Sequence, residues 1–419
     1  MSAPLAAAAR EGGGLFGWWR DGTPDAHRAL VAASLGWMLD AFDVMLYALV
    51  VTSIMSDLGI SRGTAGALAS ATLVASAGGG ILFGVVADRY GRTRALVASV
   101  LIYSIFTAAC GLASNVWQLA VFRILLGIGM GGEWASGAAL VTETWPAEHR
   151  GKALGFMQSA WAVGYGLAAL VTMIVLPRWG WRAVFFTGIL PALLTIWVRT
   201  SVREPVIWER ARSEPRRQRF ADIFATGLLP LTLAVTLMNA FTMFAWWGFN
   251  QWLPAFLSLP REEGGVGLTT TRMTAFVIAM QVGMWFGYVT FGFVADAIGR
   301  RRSYVVYTLT AAALIAVYVS VRIPALLLVL GPFVAFFATG YFSGFGAVTA
   351  EIYPTAIRAT AQGFTYNIGR LASAAAPYAV GTLAQTRGFG TALLLTSAAF
   401  VAAAAMWIWI PETKGRELA

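Results

Sequence analysis

The chain has 419 residues, 58% of them apolar and only 12% charged, with a mean hydropathy of +0.68 and a net charge of +10. An ordinary soluble domain is about a quarter charged, so this composition excludes a soluble enzyme, a disordered tail and a disulfide scaffold. One cysteine, Cys110, set in an apolar run, and two histidines are too few for a His/Cys metal site; no metal and no cofactor are expected.

Met1–Gly14 is rich in alanine and glycine, with no apolar core before Arg10, so no cleavable leader is expected there. Leu15-Phe16-Gly17-Trp18-Trp19 reads as an interfacial anchor. Apolar stretches then follow at 29–56, 64–87, 95–113, 117–142, 152–175, 183–200, 228–257, 272–295, 303–321, 325–350, 360–385 and 389–410. Each is near or above the length that crosses a bilayer. They predict an all-α integral membrane protein of 12 transmembrane helices in two six-helix halves. The expected organisation is an N-terminal arm over 1–28, bundles over 29–200 and 228–410, a linker over 201–227 and a tail over 411–419. Of the 30 Lys and Arg residues, 21 fall in the arm, the tail and the loops near 90, 150, 210, 300 and 358, against seven in the alternate loops. That asymmetry places both termini in the cytoplasm; a bacterial inner membrane is the expected setting, assumed from the style of the sequence. It also explains the positive charge without a nucleic-acid partner.

The sequence repeats itself. Gly84, Asp88, Gly91 and Arg92 are echoed by Gly292, Asp296, Gly299 and Arg300. Glu143, Pro146, Arg150, Gly155 and Phe156 are echoed by Glu351, Pro354, Arg358, Gly363 and Phe364, always 208 residues on. Two halves in the same orientation follow, related by an axis along the membrane normal. Gly84 and Gly292 are expected to permit close helix approach. Asp88, Arg92, Glu143 and Arg150, with Asp296, Arg300, Glu351 and Arg358, are expected either to anchor topology or to latch the cytoplasmic face and release it as the halves rock.

These motifs, with the ending Pro411-Glu412-Thr413-Lys414-Gly415, resemble the major facilitator superfamily along the whole chain. Asp40-Ala41-Phe42-Asp43 resembles a signature of its organic-anion branches. Gly129-Met130-Gly131-Gly132-Glu133, Gly180-Trp181-Arg182 and Gly363-Phe364-Thr365-Tyr366-Asn367 are similar to segments of the sialate and lactate:proton symporters, with aromatic-acid:proton symporters as near neighbours. The resemblance implies a monomer in the lipid bilayer.

Charges at membrane depth are costly and therefore functional candidates. Asp40 and Asp43 fall about 17–21 Å into the first span, at the i,i+3 spacing that shares a helix face. Residues 208 further on are Gly248 and Gln251, so the scaffold does not require the acids. Asp40, Asp43 and Glu133 are the proton-carrier candidates; one Asp could instead tie the first helix to a neighbour, and Glu133 could bond a neighbour or pair with Arg123. Arg370 lies near mid-bilayer in the eleventh span and has Ala162 as its repeat mate. A guanidinium binds a carboxylate through two parallel hydrogen bonds, so Arg370 either holds an anionic substrate or pairs with one of the three acids. Arg123 is a second substrate-site candidate that could snorkel outward. Gln158, Trp161, Tyr165, Asn250, Gln251, Gln281, Tyr366 and Asn367 complete the candidate lining of a small-acid pocket.

The function expected is proton-coupled symport of a small organic anion, a monocarboxylate, by alternating access. A carrier of neutral sugars and a proton-antiport exporter are the alternatives. No hydrolase, zinc-protease or P-loop motif occurs, and no catalytic residue is expected.

Overall fold

The computed structural model describes residues 17–146, 149–204, 223–224, 227–353 and 358–414. Helices in chain order are α1 Gly17–Arg20, α2 Pro24–Leu58, α3 Arg62–Tyr90, α4 Arg92–Cys110, α5 Val116–Thr144, α6 Arg150–Phe186 and α7 Ala192–Ser201. After the linker come α8 Leu229–Ser258, α9 Thr270–Ile298, α10 Arg300–Ser320, α11 Pro324–Thr339, α12 Phe345–Ile352, α13 Arg358–Ser373 and α14 Ala375–Met406. No strand occurs among the described residues.

Ten segments are long and apolar enough to cross a membrane. Two of them, Arg150–Val198 and Ala361–Met406, run to 49 and 46 residues. At 1.5 Å per residue each is about 70 Å long, more than twice the hydrocarbon core, so each must cross twice. Both fold back at a glycine outside helical geometry, Gly180 (φ 76°) and Gly388 (φ 80°). The crossings thus number twelve among the described residues. These two glycines are 208 residues apart, as are Gly91 (φ 117°) and Gly299 (φ 101°) at the turns into α4 and α10.

The same offset governs a feature not read from the sequence. Glu204 accepts hydrogen bonds from the amides of Arg92, Thr93 and Arg94 at 2.7, 3.1 and 3.3 Å, capping the start of α4. Glu412 does the same for Arg300 and Arg301 at the start of α10, at 2.8 and 3.2 Å. A carboxylate there satisfies unpaired amides and meets the positive end of the helix dipole. Partial burial alone pushes the Glu412 carboxyl up, but amide donors from Lys414, Arg300, Arg301 and Thr413 outweigh it and hold it below the usual carboxylate range.

Within each half, glycines let backbones touch. A Cβ on Gly131 of α5 would lie 2.0 Å from the Ser76 carbonyl of α3. On Gly164 of α6 it would lie 1.8 Å from the Met38 carbonyl of α2. Gly84 and Gly292 behave otherwise: a Cβ at either meets nothing within 4 Å, so the expectation of close approach there is corrected. Gly164→Ala is therefore expected to force α2 and α6 apart at a cost of about 1–3 kcal/mol, seen as a lower Tm in detergent. Gly84→Ala serves as the control with little change.

The halves meet through α2 with α8, α6 with α9, and α3 with α13 and α14. Around the α2–α3 turn they are tied directly. Arg62 pairs with Glu263 at 2.7 Å and donates to the Ala384 carbonyl at 3.1 Å, with its guanidinium 4.9 Å from the Phe389 ring. The Gly63 amide reaches Gln385 at 3.4 Å, and the Tyr378 amide reaches Ser70 at 3.2 Å. At the opposite end, no hydrogen bond or ion pair joins the halves among the described residues.

Candidate functional site

A small cavity of about 30 Å³ lies midway along the helices, between the halves. Trp37 of α2, Trp161 of α6, and Trp246 and Trp247 of α8 form its aromatic walls, with Phe342 from the turn after α11. Ring centroids are 4.7 Å apart for Trp37–Trp161, 5.6 Å for Trp161–Trp246 and 4.9 Å for Trp246–Trp247. Such edge and tilted contacts pack the indoles into an aromatic box. The box also offers unused polarity. The indole N–H groups of Trp37, Trp161 and Trp246 are buried without a hydrogen-bond partner, as is Gln158 Oε1. Buried polar groups are almost always paired, so these four are donors and an acceptor that water or a bound solute can use.

Arg370 closes one side of the box, one helical turn beyond Tyr366 on α13. It is 4% exposed, and no carboxylate among the described residues comes within ion-pair distance of it. Asp40 and Glu133 nonetheless lie within direct electrostatic range of Arg370 and of each other. Both carboxyl groups are buried and lack hydrogen-bond partners. Glu133 packs against the α2 backbone: a Cβ at Gly36 would lie 2.5 Å from its Oε1. Asp43 is turned away from the box, toward Thr107 of α4 and Gly188. The acids and the arginine therefore form one electrostatic group reaching from the cavity wall into the N-terminal half.

Of the expected lining residues, Gln158, Trp161, Tyr366 and Arg370 line the cavity. Tyr165, Asn250, Gln251 and Asn367 are not among its walls, and Gln281 borders a separate groove between α6 and α9. Three of these amides fold back on their own helices: Asn250 donates to the Trp246 carbonyl, Gln281 to Val277 and Asn367 to Gly363, at 3.1, 3.2 and 2.9 Å. Arg123 is also absent from the lining. Rather than snorkelling, it is buried with its guanidinium 3.7 Å from the centre of the Tyr47 ring. Trp37, Met243, Tyr288 and Phe342 line the cavity although the sequence reading did not single them out.

The charged motif residues pair inside each half. Arg92 meets Glu143 at 2.9 Å, and Arg300 meets Glu351 at 3.1 Å and also Asp296. Arg150 donates to the Trp145 carbonyl at 3.1 Å. Each pair lies within a single half and braces the half that holds it. The side chains of Asp88 and Arg358 lie outside the described residues, as do most of the 201–227 linker and the ends of the arm and tail.

The sequence matches the profile of the Major Facilitator Superfamily over residues 33–289 and 265–419. The chain belongs to that superfamily. It is 32% identical over 382 residues to a cis,cis-muconate transport protein of Acinetobacter baylyi, covering 89% of this chain and 91% of that one. It is 30% identical over 387 residues to a sialic acid transporter of Escherichia coli K12, covering 92% and 94%. Among solved structures, a D-xylose-proton symporter superposes with a TM-score of 0.75 at 23% identity, covering 94% of this chain and all of that one. This facilitator chain is thus a multi-pass integral membrane transporter with the all-α fold expected from its sequence.

Proposed function

We propose that this transporter takes up a small organic anion with a flat, unsaturated or aromatic body, together with a proton, by alternating access. The observation that carries the reading is Arg370: a buried guanidinium with no ion-pair partner among the described residues, lining a box of tryptophans, with Asp40 and Glu133 in electrostatic range. A carboxylate on Arg370 through two parallel hydrogen bonds would seat the acid's body among the indoles. That negative charge would also face Asp40 and Glu133. A proton taken up by the acidic group offsets it, so anion and proton favour each other's binding, which is the linkage a symporter needs. With both loaded the site gains no net charge, and closing a dehydrated cavity around it costs less.

The muconate and sialate relatives support an acidic substrate. The skewed loop charge supports cytoplasmic termini. On that orientation the Arg62 ties seal the outer face, and the cavity is set to exchange with the cytoplasm. Asp40 and Asp43 act as proton carriers, Glu133 shares their proton, and the protein works as a monomer in the bilayer.

Purified protein in proteoliposomes, offered radiolabelled benzoate, cis,cis-muconate, lactate and xylose, tests this reading. Accumulation of an unsaturated or aromatic acid under an inside-alkaline gradient, abolished by a protonophore, is the expected result. Xylose uptake indifferent to the gradient would defeat it.

A further inference from the structure

A cleft of about 400 Å³, a size that takes a small molecule, lies along the contact between α6 and α9. Val163 and Gly166 of α6 line it against Ile278, Gln281, Val282 and Trp285 of α9. Val163 and Val282 are 45% and 55% exposed on spanning helices, so the cleft opens to the lipid. It shares no lining residue with the tryptophan box.

Gln281 gives this cleft its chemistry. It sits about 16 Å along α9 from Thr270, at the depth of the hydrocarbon core. Its side chain is buried, at 5% exposure. Nε2 donates to the Val277 carbonyl at 3.2 Å, which fixes Oε1 as the unused atom, and Oε1 is buried without a partner among the described residues. A carbonyl oxygen accepts and never donates, and lipid at that depth brings no water to satisfy it. The repeat mate of Gln281 is Leu73, and that of Gly166 is Ala374. The shared scaffold therefore asks for neither the amide nor the bare backbone opposite it. A Cβ at Gly166 would meet Cβ and Cγ of Gln281 at 3.7 and 3.8 Å, which is ordinary contact. Helix packing does not require that glycine; its effect is to leave room beside the Gln281 side chain.

The occupant that suits these walls is apolar and brings one neutral hydrogen-bond donor. A cationic donor is too costly at that depth. A hydroxyl supplies the donor with the least added polarity, and the Trp285 ring offers an aromatic wall. We propose that the α6–α9 cleft binds, from the bilayer, a neutral phenol: an apolar aromatic molecule whose hydroxyl donates to Gln281 Oε1. Because the walls come from opposite halves, the occupant wedges them in one posture and slows transport without entering the cargo site. The wedge rests on the alternating-access reading; the binding site does not.

The test uses the full chain in nanodiscs and 4-heptylphenol with a photoactivatable diazirine on its alkyl chain. Labelled peptides should map to 162–166 and 278–285. Plain 4-heptylphenol should displace the label, whereas 4-heptylanisole, the same body with the hydroxyl methylated, should need about tenfold more. Gln281→Met, which keeps the length and loses the acceptor, should weaken labelling about tenfold, and Gly166→Leu, which fills the cleft, should abolish it. Equal displacement by phenol and ether, or label placed elsewhere, overturns the site, because the cleft then holds any lipid chain. Failure to label α6 and α9 in protein that cross-links to a second copy through them overturns it too. If either variant does not fold, the comparison of phenol with ether on the unaltered protein decides. In proteoliposomes, saturating 4-heptylphenol should slow exchange of labelled benzoate or cis,cis-muconate severalfold at unchanged half-saturation, and 4-heptylanisole at the same concentration should not. Unslowed exchange beside labelling at the cleft overturns the wedge alone. Labelling at the cleft of a protein that exchanges neither acid sinks the transport reading, and the wedge with it, and leaves the binding site standing.

Discussion

Arg370→Ala should weaken binding of the transported acid by about two orders of magnitude or more. Two parallel charge-assisted hydrogen bonds are worth about 3 kcal/mol or more together, and each 1.4 kcal/mol is about tenfold in Kd. The four tryptophans of the cavity supply the readout, because a ligand seated among them should quench their fluorescence. Arg370→Lys keeps the charge and loses the planar fork, so a smaller loss of about tenfold is expected. Binding by Arg370→Ala at the original Kd would mean that the anion is held elsewhere.

Neutralising the acids should separate binding from energy coupling. With Asp40→Asn or Asp43→Asn, pH-driven accumulation is expected to vanish, while exchange of labelled for unlabelled acid across the membrane continues. The effect is large because a one-to-one symporter can concentrate its cargo roughly tenfold for each pH unit of gradient. Asp40 and Asp43 should differ in one respect. Asp40 lies in electrostatic range of Arg370, so Asp40→Asn should also make acid binding less dependent on pH. Asp43 faces Thr107 and Gly188, away from the box, so Asp43→Asn should leave affinity near its original value. Full accumulation in either variant would move the proton path to Glu133.

Much of the fold was legible because bilayer thickness dictates span length and a duplication leaves a constant offset. The breaks at Gly180 and Gly388 fall between the spans drawn from hydropathy alone. The cavity was less legible, for a physical reason. In a membrane helix both the lipid-facing side and the packed side are apolar, so hydrophobic periodicity does not tell which way a residue turns. Trp37 and Phe342 were therefore not singled out, while Asn250 and Gln281 read as lining. A polar amide on a transmembrane helix has a cheap local partner four residues back, and both took it. Arg370 was found because an arginine has no comparable local refuge at that depth. Glu204 and Glu412 obey the same 208-residue offset as the motifs, but a single glutamate beside a proline in otherwise dissimilar surroundings is too short a signal to notice.

The internal braces bear on how this transporter can change over time. Arg92 with Glu143, Arg300 with Glu351, and the capping carboxylates of Glu204 and Glu412 each belong to one half. Swinging one body against the other leaves all of them intact. On the proposed alternating-access cycle, the links around Arg62, which lie away from the cavity, then join the helix contacts between the halves in setting the resting posture. Substitutions at that rim can retune which side of the membrane the carrier waits on, while the choice of what it carries is inherited unaltered.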